Sequence, residues 1–322
     1  MSTIYQKIKE IIKKNNYLFN FLISLMYFFN KRTNYYYEKR IFYKRLGYHL
    51  NLKNPQSFSE KVIWKKIYDR NPLLPITADK YKVRSYVKEV LGEEEANEIL
   101  IPLLYVTDQP ERIPFDQLPP SFIIKPNHAS GKKIIVEDGN YNKENIIKTC
   151  KQWLKTPYGK NKLEWAYQPI KRKIIIEELL HNDDGGKLEE FLFYMFHRKC
   201  KLVIFVHDRV KDISLSYYDE NWNLLPFKKP NRLQAPEISR PENYEKMLKL
   251  AEKLSTPFDF VRVDFYYLQG KIFIGELTHY PASGTGHIGK TSYTFDLGKY
   301  WKVEKNYWKK NQNLSNLNII MH

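Results

Sequence analysis

The chain of 322 residues is long enough to bury a sizeable core, and its hydrophobic content of 43% is that of a globular protein. Two cysteines, Cys150 and Cys200, exclude a disulfide framework and a cysteine-rich metal cluster, so we expect a reducing, cytoplasmic location. The net charge of +17 favours an anionic partner, although a lysine-rich genomic composition explains it equally well.

Residues 1–50 form a basic, aromatic segment for which the pattern predicts helices. Its apolar run, NYLFNFLISLMYFF at 16–29, is flanked by lysine and arginine on both sides. The run is shorter than the roughly 20 apolar residues that cross a bilayer, and the basic start lacks the cleavage site of a signal peptide. Two interpretations stay open: an interfacial helix in contact with anionic lipid, and a helix packed against the body of the protein.

The next stretch opens with a capping box, in which Ser57 caps a helix and Glu60 reaches back. A second helix is predicted from about Thr77 to a C-cap at Gly92. The pattern then predicts a strand in IPLLYVTD, a strand–loop–strand unit at 121–138 and a helix at 142–155. Apolar residues at helical spacing mark the buried face of the first helix: Phe58, Val62, Ile63, Trp64 and Ile67.

The second half of the chain predicts mainly antiparallel strands. In order, these elements are a strand at 173–180, a hairpin at 188–209, a helix at 241–255, a hairpin across FVRVDFYYLQGKIFIGELT that turns at Gln269-Gly270, and a helix near 295–310. Helices mixed with mostly antiparallel hairpins predict an α+β or mixed α/β fold.

Three charged residues interrupt the apolar pattern of the last hairpin: Arg262, Asp264 and Glu276. Charge at such positions is costly unless it is paired or holds a metal. Two carboxylates on neighbouring strands could bind Mg²⁺, which prefers hard oxygen ligands. Surface strands also carry acids without any such role, so the spacing alone leaves both interpretations open.

Lys125 ends an apolar strand and begins the loop KPNHASGKK. Such a loop can offer backbone N–H groups to phosphate, with the lysine adding a point charge. A solvated turn is the alternative, and the loop is not a Walker A motif. The strand IIIEELL likewise ends in two acids, which could pair with lysines or accept hydrogen bonds from a ligand. Neither zinc-site histidine spacings nor a nucleophile elbow is present.

Seven stretches occur in a distinctive order over about residues 50–300: NPQSFSEKVIWKKIYDRNP, ADKYKVRSYV, IPLLYV, LPPSFIIKPNHASG, IIIEELL, YYDENWNLLPF and FVRVDFY…GKIFIGELTHYPASG. With this order the chain resembles the TupA-like ATP-grasp family, which is associated with polysaccharide and teichuronopeptide biosynthesis. The resemblance implies an α+β, ATP-grasp fold in which two α+β subdomains clasp ATP. It places a nucleotide-clasping subdomain at about 120–185 within a domain at 51–310, after the helical segment 1–50 and before a tail at 311–322.

The resemblance also implies roles for individual residues around ATP, the metal and the reacting groups. The phosphates of ATP would be bound by Lys125, under the flexible loop 127–133 with His128, Ser130 and Gly131. The adenine would be bound by Glu177 and by the backbone of Leu179 and Leu180. The ribose would be bound by Asp184 or Asp183. Mg²⁺ would be bound by Asp264, Glu276 and Thr278, Arg262 would steady the transferring phosphoryl group, and Arg209 would border the acceptor site.

The chain departs from the family pattern at three points. Leu192 stands where a second phosphate-binding lysine is expected, with Lys132 or Lys187 as substitutes. Thr278 stands where a metal-binding asparagine is common, and a hydroxyl is the weaker Mg²⁺ ligand. The loop NHASGKK also has less glycine than is usual in the family.

The resemblance implies an ATP- and Mg²⁺-dependent ligase that joins a sugar acid of a surface polysaccharide, or of its precursor, to an amino acid or amine through an acyl phosphate. The basic N-terminus suits work at the inner face of the cell membrane. A first alternative is a glycosyltransferase, as family members are often labelled, although no DxD motif is clear. A second is a basic, non-enzymatic protein that binds nucleic acid or membrane, although no nucleic-acid-binding motif stands out.

Overall fold

The structure, a computed structural model, describes residues 16–181, 188–207, 214–227, 233–234, 237–288 and 290–310. Its helices are α1 (Asn16–Arg32), α2 (Tyr36–Leu46), α3 (Phe58–Tyr68), α4 (Leu73–Ala78), α5 (Val83–Leu91), α6 (Glu93–Ile99), α7 (Lys143–Lys155), α8 (Tyr244–Ser255), α9 (Thr291–Lys299) and α10 (Tyr307–Lys310). Its strands are β1 (Leu103–Thr107), β2 (Phe122–Pro126), β3 (Ile134–Val136), β4 (Ile174–Glu178), β5 (Glu189–Phe196), β6 (Lys199–His207), β7 (Ser214–Tyr218), β8 (Leu233–Gln234), β9 (Phe260–Leu268) and β10 (Lys271–Thr278). The α+β prediction is confirmed.

The predicted capping box forms at the start of α3. The Ser57 hydroxyl accepts the Glu60 backbone N–H at 3.1 Å, and Glu60 Oε2 accepts the Ser57 N–H at 2.9 Å. Such caps typically stabilise a helix by about 1 kcal/mol. All five apolar residues predicted for the inner face of this helix are buried.

The helix predicted from Thr77 to Gly92 is wrong as one unit, because a turn separates α4 from α5. Asp79 Oδ1 accepts the backbone N–H groups of Tyr81 and Lys82, at 2.8 and 3.3 Å. An aspartate that bonds to the backbone in this way competes with helix continuation. The Gly92 cap is confirmed, with a left-handed φ of 86°. The predicted helix near 295–310 is likewise split, into α9 and α10.

A four-stranded antiparallel sheet has the order β1-β4-β2-β3. One face of its central strands carries Phe122, Ile124, Ile174 and Ile176, which pack with Trp153 of α7 into a separate core. Because side chains alternate along a strand, Lys125 and Glu177 lie on the opposite face. This sheet therefore presents a polar pair beside its apolar core.

A six-stranded sheet has the order β10-β9-β5-β6-β7-β8 and carries the main core. The predicted hairpin between β9 and β10 is confirmed, with Gln269 and Gly270 both at positive φ. Apolar side chains on one face of the sheet, including Phe193 and Phe265, pack with α8. The other face of β9 carries Arg262 and Asp264.

The N-terminal helices pack on this body with one face each. Ile23 and Asn30 of α1 are buried, as are Phe42 and Leu46 of α2. Glu38 of α2 forms a buried ion pair with Lys66 of α3 at 2.8 Å. The prediction of a helix packed against the protein body is thus confirmed for these inner faces. Among the described helices, none is long and apolar enough to cross a bilayer.

Candidate active site

The three charges of the last hairpin, together with Thr278, form what we call the carboxylate cluster. In the register of β9 and β10, Asp264 lies opposite Glu276 and Arg262 lies opposite Thr278. A bulge at Gly275 sets this register. A larger residue at this position would be crowded, because an added Cβ would lie 3.0 Å from the Tyr266 ring. The hairpin thus brings all four polar side chains to one face.

Arg262 connects the members of the carboxylate cluster. Its Nε donates to Asp264 Oδ1 at 2.7 Å, and its Nη2 donates to Asp264 Oδ2 at 2.6 Å and to Thr278 Oγ1 at 3.1 Å. The Thr278 hydroxyl donates to Glu276 Oε1 at 2.7 Å. Burial alone would lower the pKa of Arg262, but the Asp264 carboxylate raises this pKa well above its ordinary value. Arg262 is therefore permanently charged in this site.

The donors of the carboxylate cluster fit Mg²⁺ with a shared coordination shell. Asp264 is buried, whereas the Glu276 side chain is 35% exposed, so one carboxylate is held rigidly and the other is open to a ligand. No group of three or more His, Cys, Asp and Glu side chains suited to a metal forms within the described ranges. Two carboxylates and a hydroxyl suffice for Mg²⁺, because this ion keeps several waters and shares its shell with substrate phosphates.

Lys80 is a site residue that the sequence reasoning missed. Its Nζ lies 3.6 Å from Glu276 Oε2, and its backbone N–H donates to the Asn127 carbonyl at 3.0 Å. The turn after Asp79 therefore delivers a second cation to the carboxylate cluster. The one available signal was the dipeptide Asp79-Lys80, since aspartate favours turns.

Lys125 and Glu177, both predicted at the nucleotide, contact each other across β2 and β4. Lys125 Nζ lies 2.9 Å from Glu177 Oε2, and Arg84 Nη1 lies 3.5 Å from the other carboxylate oxygen. The Glu177 side chain is only 9% exposed. Two cations thus hold one carboxylate at the start of the connection from β4 to β5.

The predicted loop 127–133 is anchored at its start. The Asn127 side chain donates through Nδ2 to Asp79 Oδ1 at 2.9 Å, and its Oδ1 accepts the Lys173 backbone N–H at 2.7 Å. His128 is buried with Nε2 3.3 Å from the Thr156 carbonyl, and burial lowers its pKa to about 4, so its ring is neutral.

Farther along this loop, Ser130 is exposed and reaches the Tyr158 side chain, and Gly131 has a left-handed φ of 73°. The nucleotide roles of His128, Ser130 and Gly131 stay predictions.

The remaining predicted residues lie in three places. Leu179 and Leu180 follow β4, with the Leu179 carbonyl accepting a hydrogen bond from His181 Nδ1 at 3.0 Å. Leu192 is buried directly opposite Asp264, so an apolar side chain occupies this position beside the carboxylate cluster. Asp183, Asp184, Lys187 and Arg209 lie outside the described residues.

Glu190 of β5 is a second residue that the sequence reasoning missed. In the register of β5 and β9 it lies opposite Tyr266, two residues before Leu192, and so shares the face of Asp264. Its side chain is buried, which is unusual for a carboxylate. The sequence signal was weak, because Glu189 and Glu190 together suggest an exposed strand start.

Two cavities meet at Arg262. One, of about 210 Å³, lies over the sheet and is lined by Leu192, Tyr194 and Tyr217. The other, of about 480 Å³, opens beside Glu276 and Thr278 and extends to α2; we call it the α2 cavity. Small molecules therefore have two approaches to the carboxylate cluster.

The chain is similar to known proteins both in sequence profile and in fold. Residues 60–302, about three quarters of the chain, match the sequence profile of a family described as TupA-like ATPgrasp. A search of curated proteins finds no match. Similar solved structures include D-alanine–D-alanine ligase from Helicobacter pylori (17% identity, TM-score 0.42, covering 77% of this chain and 70% of that one) and D-alanine–D-alanine ligase from Bacillus anthracis complexed with ATP (17%, 0.41, 76% and 67%). The ATP-grasp ligase PsnB, complexed with a precursor variant, Mg and ADP, is a third (12%, 0.39, 71% and 60%).

Proposed function

Since this chain belongs to the TupA-like ATP-grasp family, we propose that it is an ATP- and Mg²⁺-dependent ligase. It joins the carboxylate of a sugar acid, from a surface polysaccharide or its precursor, to an amino acid or other amine. The observation that carries this proposal is the carboxylate cluster, with Lys80 beside Glu276. The family match favours a ligase over the glycosyltransferase and over a non-enzymatic binding protein.

The reaction has two displacement steps. A carboxylate oxygen of the acid attacks the γ-phosphorus of ATP, and the bond to the bridging oxygen breaks to release ADP. The amine nitrogen then attacks the acyl carbon, phosphate leaves, and the nitrogen loses a proton. Both steps depend on in-line positioning and charge neutralisation, which is consistent with a site that lacks a serine or cysteine nucleophile motif.

The chain's own residues supply that neutralisation. Asp264, Glu276 and Thr278 would hold Mg²⁺, which when bound neutralises the β- and γ-phosphate oxygens. Arg262 lies on the same face and stabilises charge as it moves onto the transferring phosphoryl group. Lys80 contributes a point charge next to Glu276. It acts as the second phosphate-binding cation of the site, because Leu192 occupies the position where a second lysine was expected.

The nucleotide lies between the faces that carry Lys125 and Asp264. Lys125 exchanges its contact with Glu177 for phosphate oxygens, and Glu177 is then available to the adenine amino group with the backbone of Leu179 and Leu180. Glu190 is the described candidate for the ribose hydroxyls, since it shares the face of Asp264 and directly follows the connection from β4. The earlier candidates Asp183 and Asp184 stay predictions.

ADP release across a panel of uronic acids and amino acids, with mass detection of the amide, tests this proposal. The Asp264→Asn/Glu276→Gln variant is expected to lose about 100-fold or more, as is typical when transition-state charge stabilisation is removed. Asp296→Asn, which alters an exposed acid paired with Lys299, is the matched control and should retain activity. Full activity of the double variant would refute the metal assignment. Turnover of nucleotide sugars without ADP release would favour the glycosyltransferase.

A further inference from the structure

The α2 cavity is closed by a helix that precedes the matched family region. Its inner end is formed by Arg262, Glu276 and Thr278. Its far wall includes Glu38, Ile41 and Arg45 of α2, whereas the family match begins at residue 60. This wall thus lies outside the matched region, and the cavity that it lines reaches the reacting end of the proposed site.

Two cations that line this cavity, Arg45 of α2 and Lys162, form no ion pair within 4 Å among the described residues. Arg45 Nη1 donates to the Thr285 hydroxyl at 2.7 Å, which fixes the guanidinium while leaving its other donors available. Lys162 Nζ lies 5.5 Å from the centre of the Tyr158 ring. Both side chains line the cavity, so they are positioned to receive an anion.

The acids nearby do not cancel these charges. Glu38 is already paired with Lys66 at 2.8 Å. Burial raises the pKa of Glu164, and even its ionised form offsets only one of the two cations. Glu276 lies beside Lys80. The lining around Arg45 and Lys162 is therefore net positive.

We propose that the α2 cavity binds the acid substrate, and that Arg45 and Lys162 bind a second anionic group on it, a phosphate or another carboxylate. This inference rests on the proposed ligase function. The reacting carboxylate lies at the Glu276–Thr278 end, so the second anion must lie across the cavity. A guanidinium pairs well with phosphate or carboxylate because its planar donors match two oxygens. The substrate class is thus a sugar acid with two anionic groups.

Calorimetric titration with glucuronic acid and with glucuronic acid 1-phosphate, both in the presence of Mg²⁺ and a non-hydrolysable ATP analogue, tests the inference. The wild type should bind the phosphorylated acid at least tenfold more tightly than the free acid. The Arg45→Gln/Lys162→Gln variant should lose this difference while binding free glucuronic acid within about twofold of the wild type. Lys44→Gln removes an adjacent α2 charge that does not line the cavity and should change nothing.

The outcomes separate this inference from the function on which it rests. Failure to bind the ATP analogue at all would refute the ligase. If the analogue binds, equal affinity for the two acids, an unchanged double variant, or no binding of either acid would each overturn the substrate inference alone.

A second, independent observation concerns the outer face of α1. Six large apolar side chains on this helix are between 40% and 63% exposed, and we call them the α1 outer face: Leu18, Phe21, Leu25, Met26, Phe28 and Phe29. The opposite side is fixed to the protein by buried Ile23 and by Lys160, which donates to the Ser24 hydroxyl at 2.8 Å. The apolar stripe is thus held outward.

Exposed cations lie at the C-terminal end of this stripe and on the helix that follows it. Lys31 and Arg32 end α1, and Arg40 and Lys44 lie on α2. An apolar helix face with basic neighbours is typical of helices that lie in the plane of an anionic membrane surface. We infer that the α1 outer face docks on an anionic lipid bilayer. Self-association through this face would bring the like charges of two copies together.

Cosedimentation with phosphatidylcholine vesicles, with and without phosphatidylglycerol, tests the membrane inference. Binding should require the anionic lipid and weaken with salt. Phe21→Glu/Phe28→Glu should reduce it at least tenfold, whereas Ile135→Glu, at an exposed apolar residue on β3, should not. Absence of binding to anionic vesicles would overturn the inference. A dimer in light scattering that the Phe21→Glu/Phe28→Glu variant abolishes would also overturn it, in favour of a second copy.

Discussion

Arg262 has two roles in the carboxylate cluster, and they can be separated. Without metal, it is the partner that compensates the buried Asp264 carboxylate, through two hydrogen bonds of 2.7 and 2.6 Å. Under the proposed function, bound Mg²⁺ would take over part of that compensation, and the guanidinium would become available to the phosphoryl group. The same arginine would then couple stability to ligand occupancy.

Arg262→Met leaves the Asp264 carboxylate buried without its main partner, which typically costs about 3–5 kcal/mol. We expect a lower melting temperature than the wild type in EDTA, and a larger recovery on addition of Mg²⁺ with an ATP analogue. In the Arg262→Met/Asp264→Asn double variant, both the loss in melting temperature and most of its recovery with Mg²⁺ should disappear. An Arg262→Met variant whose stability does not respond to Mg²⁺ would contradict metal binding at Asp264.

His128 gives the fold a pH-dependent anchor. Burial lowers its pKa from an ordinary 6.5 to about 4, so between these values the unfolded chain binds the proton more readily than the folded one. The contribution of His128 to the free energy of unfolding is therefore full above pH 6.5 and decreases as the pH falls towards 4. His128→Gln should therefore lose less stability than the wild type between pH 7 and pH 5, measured by urea unfolding. Equal losses would show that His128 titrates normally.

At the scale of elements, the hairpins were predictable and the turn at Asp79 was not. Alternating apolar residues and Gln269-Gly270 specify β9 and β10 locally. In contrast, Asp79 interrupts a helical pattern by accepting the backbone N–H groups of Tyr81 and Lys82, and it is fixed there by a hydrogen bond from Asn127, which is 48 residues away and cannot be seen in the local sequence. Lys80 was missed for this reason. The placement of Asp264 and Glu276 on neighbouring strands followed from the hairpin pattern, whereas their role as metal ligands stays a prediction.

Lys80→Gln tests the role of that turn. Because Lys80 is only a point charge beside Glu276, we expect about tenfold weaker ATP binding with an unchanged melting temperature. Lys82→Gln, an exposed lysine of the same turn, is the matched control and should bind ATP as the wild type does. Equal ATP affinities for the wild type and Lys80→Gln would remove Lys80 from the site.

At the scale of the whole molecule, buried ion pairs join distant segments. Lys65 of α3 lies 2.7 Å from Asp69 and 2.6 Å from Asp259, and Lys66 pairs with Glu38 of α2. Nothing in the sequence pattern distinguishes these two lysines from solvated ones, so the docking of α2, and with it the wall of the α2 cavity, could not be predicted. The position of the N-terminal segment depends on these tertiary contacts and not on its local sequence pattern.

The Glu38–Lys66 pair is expected to be strongly coupled, because both side chains are buried. Glu38→Gln or Lys66→Met alone leaves one charge without its partner and should lower the free energy of unfolding by about 3–5 kcal/mol. The double variant should lose much less than the sum, since neither charge then remains. The exposed Lys88–Glu93 pair, at a similar 2.7 Å, is the control and should show a coupling of at most about 1 kcal/mol. Urea unfolding of both cycles measures this coupling, and additive losses for Glu38 and Lys66 would show that α2 docks without the pair.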